Sequence, residues 1–175
     1  GWYMQHAQRP ARVAEEHSET AYTTNRALEL LKQHGHSPWC LHLSYIKPHW
    51  PYIAPSPYHQ LFRDLELPSA IRSQNELKNP HPIYEALTKI RVSRAFSKNE
   101  VRDRVLPTYL GLVKQLDDHL GRLFQFLEDQ GSYDQTLIVF TSDHGDYLGD
   151  HWLGEKDWFH EPSVKIPLII RDPSP

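Results

Sequence analysis

The sequence is poor in sulfur and has no long apolar run. Its single cysteine, Cys40, excludes an internal disulfide framework and any zinc site built from several thiolates. Its longest apolar runs reach about six residues, far short of the roughly 20 a membrane-crossing helix needs, so no membrane partner is expected. A basic excess is also missing. With 19 Lys and Arg against 22 Asp and Glu, the formal charge is −3, which argues against a general nucleic-acid binder. No signal peptide, internal repeat or low-complexity tract is visible. The first residue is Gly1 rather than Met, and Pro175 comes soon after an apolar segment. Both ends are therefore expected to be cut edges of a larger domain. A cytoplasmic location is the default expectation, with a periplasmic or secreted one left open. What the chain does carry is 12 His and 14 Pro in 175 residues, with 39% hydrophobic and 23% charged residues. That balance supports a packed core, and the histidines raise the expectation of metal or acid–base chemistry.

The hydrophobic pattern predicts α/β architecture. A helix is expected over 18–34, with Ser18 as its cap and Gly35 as its stop. The β-rich run Trp39–Ile46 reads as a strand between Pro38 and Pro48. Four prolines follow within Lys47–Pro57, which predicts a stiff extended loop. A short helix is expected over 83–92. The strongest pattern spans 98–130, where Leu106, Tyr109, Leu110, Val113, Leu116, Leu120, Leu123, Phe124 and Leu127 mark one face of a long helix. Pro107 predicts either a start or a kink near Leu106. Thr136–Thr141 reads as a strand buried on both faces. Ile166–Ile170 reads as another, with Pro167 pushing it toward an edge or a strand start. The whole is read as one partial domain over residues 1–175.

In open α/β sheets, sites form beyond the carboxyl ends of strands. Asp143 and His144 follow one predicted strand, and His49 follows another. Asp and His suit a divalent cation, although Asp before Gly145 also suits a simple turn. His49 is either a packed loop residue or an acid and substrate contact. Lys156 is either a solvated lysine or a cation for an anionic substrate. Asp150 and His151 are either ligands or loop hydrogen-bonding groups. Asp117 and Asp118 read as the solvent face of the long helix or a polar contact. Cys40, alternating with His42 and Ser44 and without a nearby base, reads as a buried structural thiol.

Taken together, Thr141–Asp146, Gly149–His151, Glu155-Lys156 and Ile166–Ile170 resemble the later part of the sulfatase and phosphonate monoester hydrolase family. This family belongs to the alkaline phosphatase-like superfamily. Leu41–Tyr52 resembles its strand and Pro-His-x-Pro loop, and Tyr109–Leu123 its long helix. The match is collinear over nearly the whole chain. His144 and the wording of the Pro-His loop lean toward the phosphonate monoester hydrolase branch. The resemblance implies an α/β/α sandwich with a mostly parallel central sheet, and hydrolysis of sulfate, phosphate or phosphonate esters. It implies a divalent metal, Mn or Ca first and Zn or Mg next, held in part by Asp143 and His144. It implies a formylglycine nucleophile made within a Cys/Ser-x-Pro-x-Arg motif. Lys156 and His49 match the positions that contact the substrate oxyanion and assist the leaving oxygen. Glu155, Asp146 and His160 would stand behind these groups.

The chain departs from that pattern in two ways. It contains no Cys/Ser-x-Pro-x-Arg motif, and the early aspartate pair is absent. By itself, then, this stretch is expected to lack the nucleophile. The partner expected is a small anionic ester, with self-association as a further possibility. The alternatives are a non-catalytic binding or self-assembling fragment, and another enzyme of the superfamily such as a phosphomutase or nucleotide pyrophosphatase.

Overall fold

The computed structural model describes residues 4–173. Gly1 and Pro175, where the sequence places its edges, lie outside these. The chain forms two compact units, and each is described by itself. One contains residues 64–106 and 137–172, and the other residues 7–63 and 107–136.

In the second unit, helix α1 spans Glu19–His34. The Ser18 hydroxyl accepts the Ala21 N–H at 3.1 Å, which satisfies one of the helix's free amides. Gly35 is the C-cap, as the sequence predicts. The run 39–46 departs from expectation. Its side chains alternate between half-buried and exposed as a strand's do, yet no strand pairs with it among the described residues. The period-2 pattern reports extended backbone, while a strand also needs a hydrogen-bonded neighbour. Cys40 falls on the outward phase of that alternation. It is therefore exposed, not the buried thiol expected. The proline-rich segment turns instead of running extended, with cis peptides at Lys47-Pro48, Trp50-Pro51 and Ser56-Pro57.

Helix α4 spans Asn99–Asp129 and includes Pro107 within it, so the helix starts well before the proline. The length is as predicted, but the buried stripe is not. In this unit Thr108, Leu112, Gln115 and His119, spaced by three and four, are buried along the helix, as is Leu127 of the expected stripe, while Val113 is 40% exposed. Polar side chains can take the buried stripe because each is hydrogen-bonded. The Thr108 hydroxyl donates to the Ala7 carbonyl at 3.0 Å. The Gln115 amide donates to Glu15 Oε1 at 3.0 Å and to Ser18 Oγ at 2.9 Å. His119 Nε2 lies 2.6 Å from the same Glu15 oxygen. Arg122 has only donors, and it approaches His119 Nδ1 at 3.0 Å, so Nε2 carries the proton given to Glu15. Burial pushes the Glu15 carboxyl up, but the His119 and Gln115 bonds and the Arg122 charge outweigh it and hold the group below its usual range. Asp118 accepts from the Tyr58 hydroxyl at 2.9 Å, the polar contact expected of it.

In the first unit, helices α2 (Pro82–Lys89) and α3 (Arg91–Phe96) replace the single short helix expected over 83–92. Ile90 caps both, with extended backbone at φ −64° and ψ 158°. Strands β1 (Ile138–Thr141) and β2 (Leu168–Arg171) pair antiparallel, with Thr141 opposite Leu168. Pro167 does stand just before its strand. This two-stranded sheet is the only strand pairing among the described residues, and it is antiparallel. Nor is β1 buried on both faces: Val139 is 53% exposed, and Leu168, Ile169 and Ile170 range from 58 to 65%. Two strands alone leave both faces uncovered. The core of this unit is Tyr84, Tyr147 and Leu153, backed by Leu87 and Trp158, with Phe96 fully buried beside it. No described helix is long and apolar enough to cross a membrane.

Candidate functional site

β1 ends at Thr141, and the chain turns at once. The Ser142 hydroxyl donates to the His144 carbonyl, and Asp143 Oδ1 accepts the His144 N–H at 3.0 Å. Asp143 thus caps its own turn, as its residue type allows, and still presents a carboxylate whose side chain is 87% exposed. The His144 ring is held from behind. Its Nδ1 lies 2.7 Å from the Gly145 carbonyl. A carbonyl only accepts, so Nδ1 carries the proton and Nε2 keeps its lone pair. Nε2 sits 3.5 Å from Asp143 Oδ2. That span is long for a hydrogen bond but short enough for one cation to reach both atoms at bonds of about 2.0–2.5 Å. The donor set, one carboxylate oxygen and one oriented imidazole nitrogen, therefore fits part of a divalent metal shell. Among the described residues no group of three or more His, Cys, Asp or Glu could hold a metal, so the pair is an incomplete shell.

Lys156 belongs to the same unit and is tied to the same turn. Buried Ser163, in helix α5 (Glu161–Val164), makes the tie. Its carbonyl accepts the Gly145 N–H at 2.8 Å, and its hydroxyl donates to the Lys156 carbonyl at 2.6 Å. The Trp158 N–H reaches that carbonyl as well, at 2.9 Å. One residue thus fixes the backbone of the Asp-His turn and of the lysine. The sequence reading missed Ser163, because a lone serine after His160-Glu161-Pro162 carries no pattern of its own. Ser163→Ala is expected to cost about 1 kcal/mol, the usual worth of such a bond, and Ser163→Thr less. Urea unfolding reads both, and an alanine variant as stable as the parent would show that the hydroxyl is no tie.

Between the turn and Lys156 runs a loop of unusual backbone. Leu148, His151, Trp152 and Glu155 have φ of 45°, 51°, 61° and 62°. Left-handed backbone costs a non-glycine residue about 1–3 kcal/mol where it is strained, so the loop must be held by its surroundings. Asp150 and His151 make loop hydrogen bonds, one of the two readings left open for them. Asp150 Oδ1 accepts the Ile71 N–H at 2.9 Å, and His151 Nδ1 lies 2.9 Å from Glu76 Oε1. The Tyr84 hydroxyl donates to the His151 carbonyl at 2.6 Å. Burial first, and then the Glu76 charge, push that phenol up to about 12, so it remains a donor. His160 stacks on His151 with ring centroids 4.0 Å apart. Its Nδ1 is buried without a hydrogen-bond partner, and burial, then the nearby His151, push its pKa down.

His49 belongs to the other unit. The turn that carries it is braced by Lys47, whose ammonium donates to the carbonyls of His49 at 3.2 Å and Pro51 at 2.8 Å. Burial pushes the Lys47 pKa down. His49 Nδ1 lies 2.8 Å from the Trp50 carbonyl. By the same logic as for His144, Nδ1 keeps its proton there and Nε2 is the position that can give or take one.

A family model described as sulfatase matches residues 2–174. The chain belongs to the sulfatase family. It is 38% identical to the multifunctional alkaline phosphatase superfamily protein PehA of Trinickia caryophylli, over 94% of this chain and 34% of that protein. It is 32% identical to the choline-sulfatase of Rhizobium meliloti, over 89% of this chain and 31% of that protein. It also matches the phosphonate monoester hydrolase structure from Silicibacter pomeroyi, with a TM-score of 0.87 at 33% identity, covering 95% of this chain and 35% of that one. These confirm the alkaline phosphatase-like α/β fold class. The chain spans about a third of the length of these relatives.

Proposed function

We propose that the protein is a hydrolase of sulfate, phosphate or phosphonate esters, with a lean toward phosphonate monoesters. The observation that carries this reading is the Asp143–His144 pair, oriented to share a cation and tied through Ser163 to the backbone of Lys156. The likeness to a phosphonate monoester hydrolase at a TM-score of 0.87 supports the lean. As a rule the family works with a divalent metal and a formylglycine. A divalent ion bound at Asp143 and His144 would supply Lewis-acid stabilisation of charge on the transferred group.

The residues then have distinct tasks. Asp143 and His144 bind, and the Gly145 carbonyl keeps the His144 lone pair on Nε2. Lys156 brings a positive charge to the non-bridging oxygens of the ester and steadies charge that grows on them. His49 is assigned the acid's role on the resemblance of its Pro-His-x-Pro loop: as the imidazolium it would give its Nε2 proton to the departing oxygen and keep the Nδ1 proton on the Trp50 carbonyl.

Two variants separate binding from rate. In the complete protein, Asp143→Ala is expected to lower bound metal, measured by elemental analysis, and activity with it. Lys156→Ala is expected to keep the metal and to lower turnover of a 4-nitrophenyl phosphonate or phosphodiester by about 10²–10³, the usual effect of losing one charge-stabilising donor. Full metal content in the first, or full rate in the second, would remove the corresponding role.

A further inference from the structure

We propose that Glu76, acting through His151, is a positioning residue for Lys156. The inference rests on the function argued above for Lys156, and its structural half stands independently.

The loop from Leu148 to Glu155 delivers Lys156, and four of its residues hold left-handed backbone. Such a conformation persists only when the surroundings over-determine it. Here the short segment 71–76 does so from one side. It exchanges two backbone-linked bonds with the loop, His151 N–H to the Ile71 carbonyl at 2.8 Å and Ile71 N–H to Asp150 Oδ1 at 2.9 Å. The Trp152 indole donates to the Ser73 carbonyl at 2.8 Å, under an Arg72 guanidinium 4.6 Å from its ring.

Glu76 closes this contact and is itself fixed. Its Oε2 accepts the Ser73 N–H at 3.1 Å in a capping box, and its Oε1 accepts from His151 Nδ1 at 2.9 Å. One carboxylate thus anchors the segment and the loop together. From His151 the hold passes on. Its ring stacks on His160, whose N–H donates to the Tyr147 hydroxyl at 3.0 Å. Ser163, three residues further, holds the Lys156 carbonyl. The Tyr147 N–H holds the carbonyl of Glu155 at 2.8 Å, next to the lysine. Two carboxylates join segment and loop, Asp150 from the loop and Glu76 from the segment. Glu76 also accepts from its own segment at Ser73, so one substitution there releases the segment's cap and its grip on His151 together.

The test uses Glu76→Ala and Glu76→Gln in the complete protein. Hydrogen exchange reads the hold without any need for activity. Amides over 148–156 are expected to exchange at least tenfold faster in Glu76→Ala, with those of α4 unchanged, and Glu76→Gln, which keeps one acceptor oxygen, to fall between. Turnover of 4-nitrophenyl phenylphosphonate, bis(4-nitrophenyl) phosphate and 4-nitrophenyl sulfate reads the consequence. Glu76→Ala is expected to lower kcat at least tenfold at unchanged metal content and nearly unchanged KM. In a Lys156→Ala background the same change is expected to cost less than twofold, because the lysine it serves is gone. Unchanged exchange over 148–156 overturns the proposal, and so does a kcat loss that adds in full to that of Lys156→Ala. If the parent protein hydrolyses none of the three esters, or Lys156→Ala keeps full rate, the functional reading fails instead. The exchange experiment then still decides whether Glu76 holds the loop.

Discussion

Gly145→Ala is expected to be among the most damaging single-methyl changes in the molecule. A Cβ at that position would stand 1.9 Å from the Pro162 carbonyl oxygen and 3.0 Å from its carbon. The obstacle is backbone, and it cannot rotate away as a side chain would. Relief requires the Asp-His turn to part from α5, which breaks the Gly145 N–H to Ser163 carbonyl bond and frees the Asp143–His144 turn from its anchor. The cost is expected to lie at or beyond the upper end of the ~1–3 kcal/mol of ordinary overpacking, with metal retention falling alongside. Gly121→Ala is the control. Its Cβ meets nothing within 4 Å, and it lies inside α4, where alanine stabilises by roughly 0.5–1 kcal/mol relative to glycine. Denaturant unfolding of the pair should move in opposite directions. A Gly145→Ala variant as stable as the parent would mean that the close approach to Pro162 is not there.

Phe96→Ala is expected to have the second large effect. The ring is fully buried at the end of α3. It lies under the left-handed loop: a Cβ on Gly154 would come within 2.7 Å of its Cδ2, and one on Gly149 within 3.2 Å of its carbonyl. That carbonyl also accepts from Arg72 at 2.8 Å, so the residue supports both the loop and the segment that grips it. Removing a buried aromatic ring costs about 3–5 kcal/mol, on the order of 10 °C in Tm for a chain of this size. Phe159, 82% exposed in the same unit, gives the comparison, since Phe159→Ala should stay within about 0.5 kcal/mol. Equal effects from the two would contradict the burial described here.

Much of this was legible in the sequence where local chemistry decides structure. Ser18 and Gly35 bound α1 because caps act within one turn. The three- and four-residue steps over 98–130 gave α4 its extent, and a strand ending in Ser142-Asp143-His144-Gly145 gave the turn. Partnering was not legible. The run 39–46 has strand period without a strand neighbour among the described residues, and β1 has strand composition with open faces. The buried polar residues of α4 also escaped the pattern. Hydropathy ranks Gln115 and His119 as surface residues, whereas hydrogen bonds to Glu15 make them interior ones. For the site, neither Ser73 nor Glu76 was singled out by the pattern, and the grip of Glu76 on His151 from 75 residues away is a tertiary fact. The left-handed φ values were invisible for a similar reason, since Leu, Trp and Glu advertise nothing of the kind.

Those φ values also shape how the loop can vary. At Leu148, His151, Trp152 and Glu155 the ordinary ranking of replacements is inverted. Glycine, usually a burden, relieves the backbone there, and asparagine and aspartate are the next best tolerated. The β-branched residues Val, Ile and Thr, harmless at most exposed positions, are shut out. Random drift through this stretch would therefore pass through a narrow gate, admitting small polar residues and rejecting valine, and a library built on hydrophobicity alone would sample it badly.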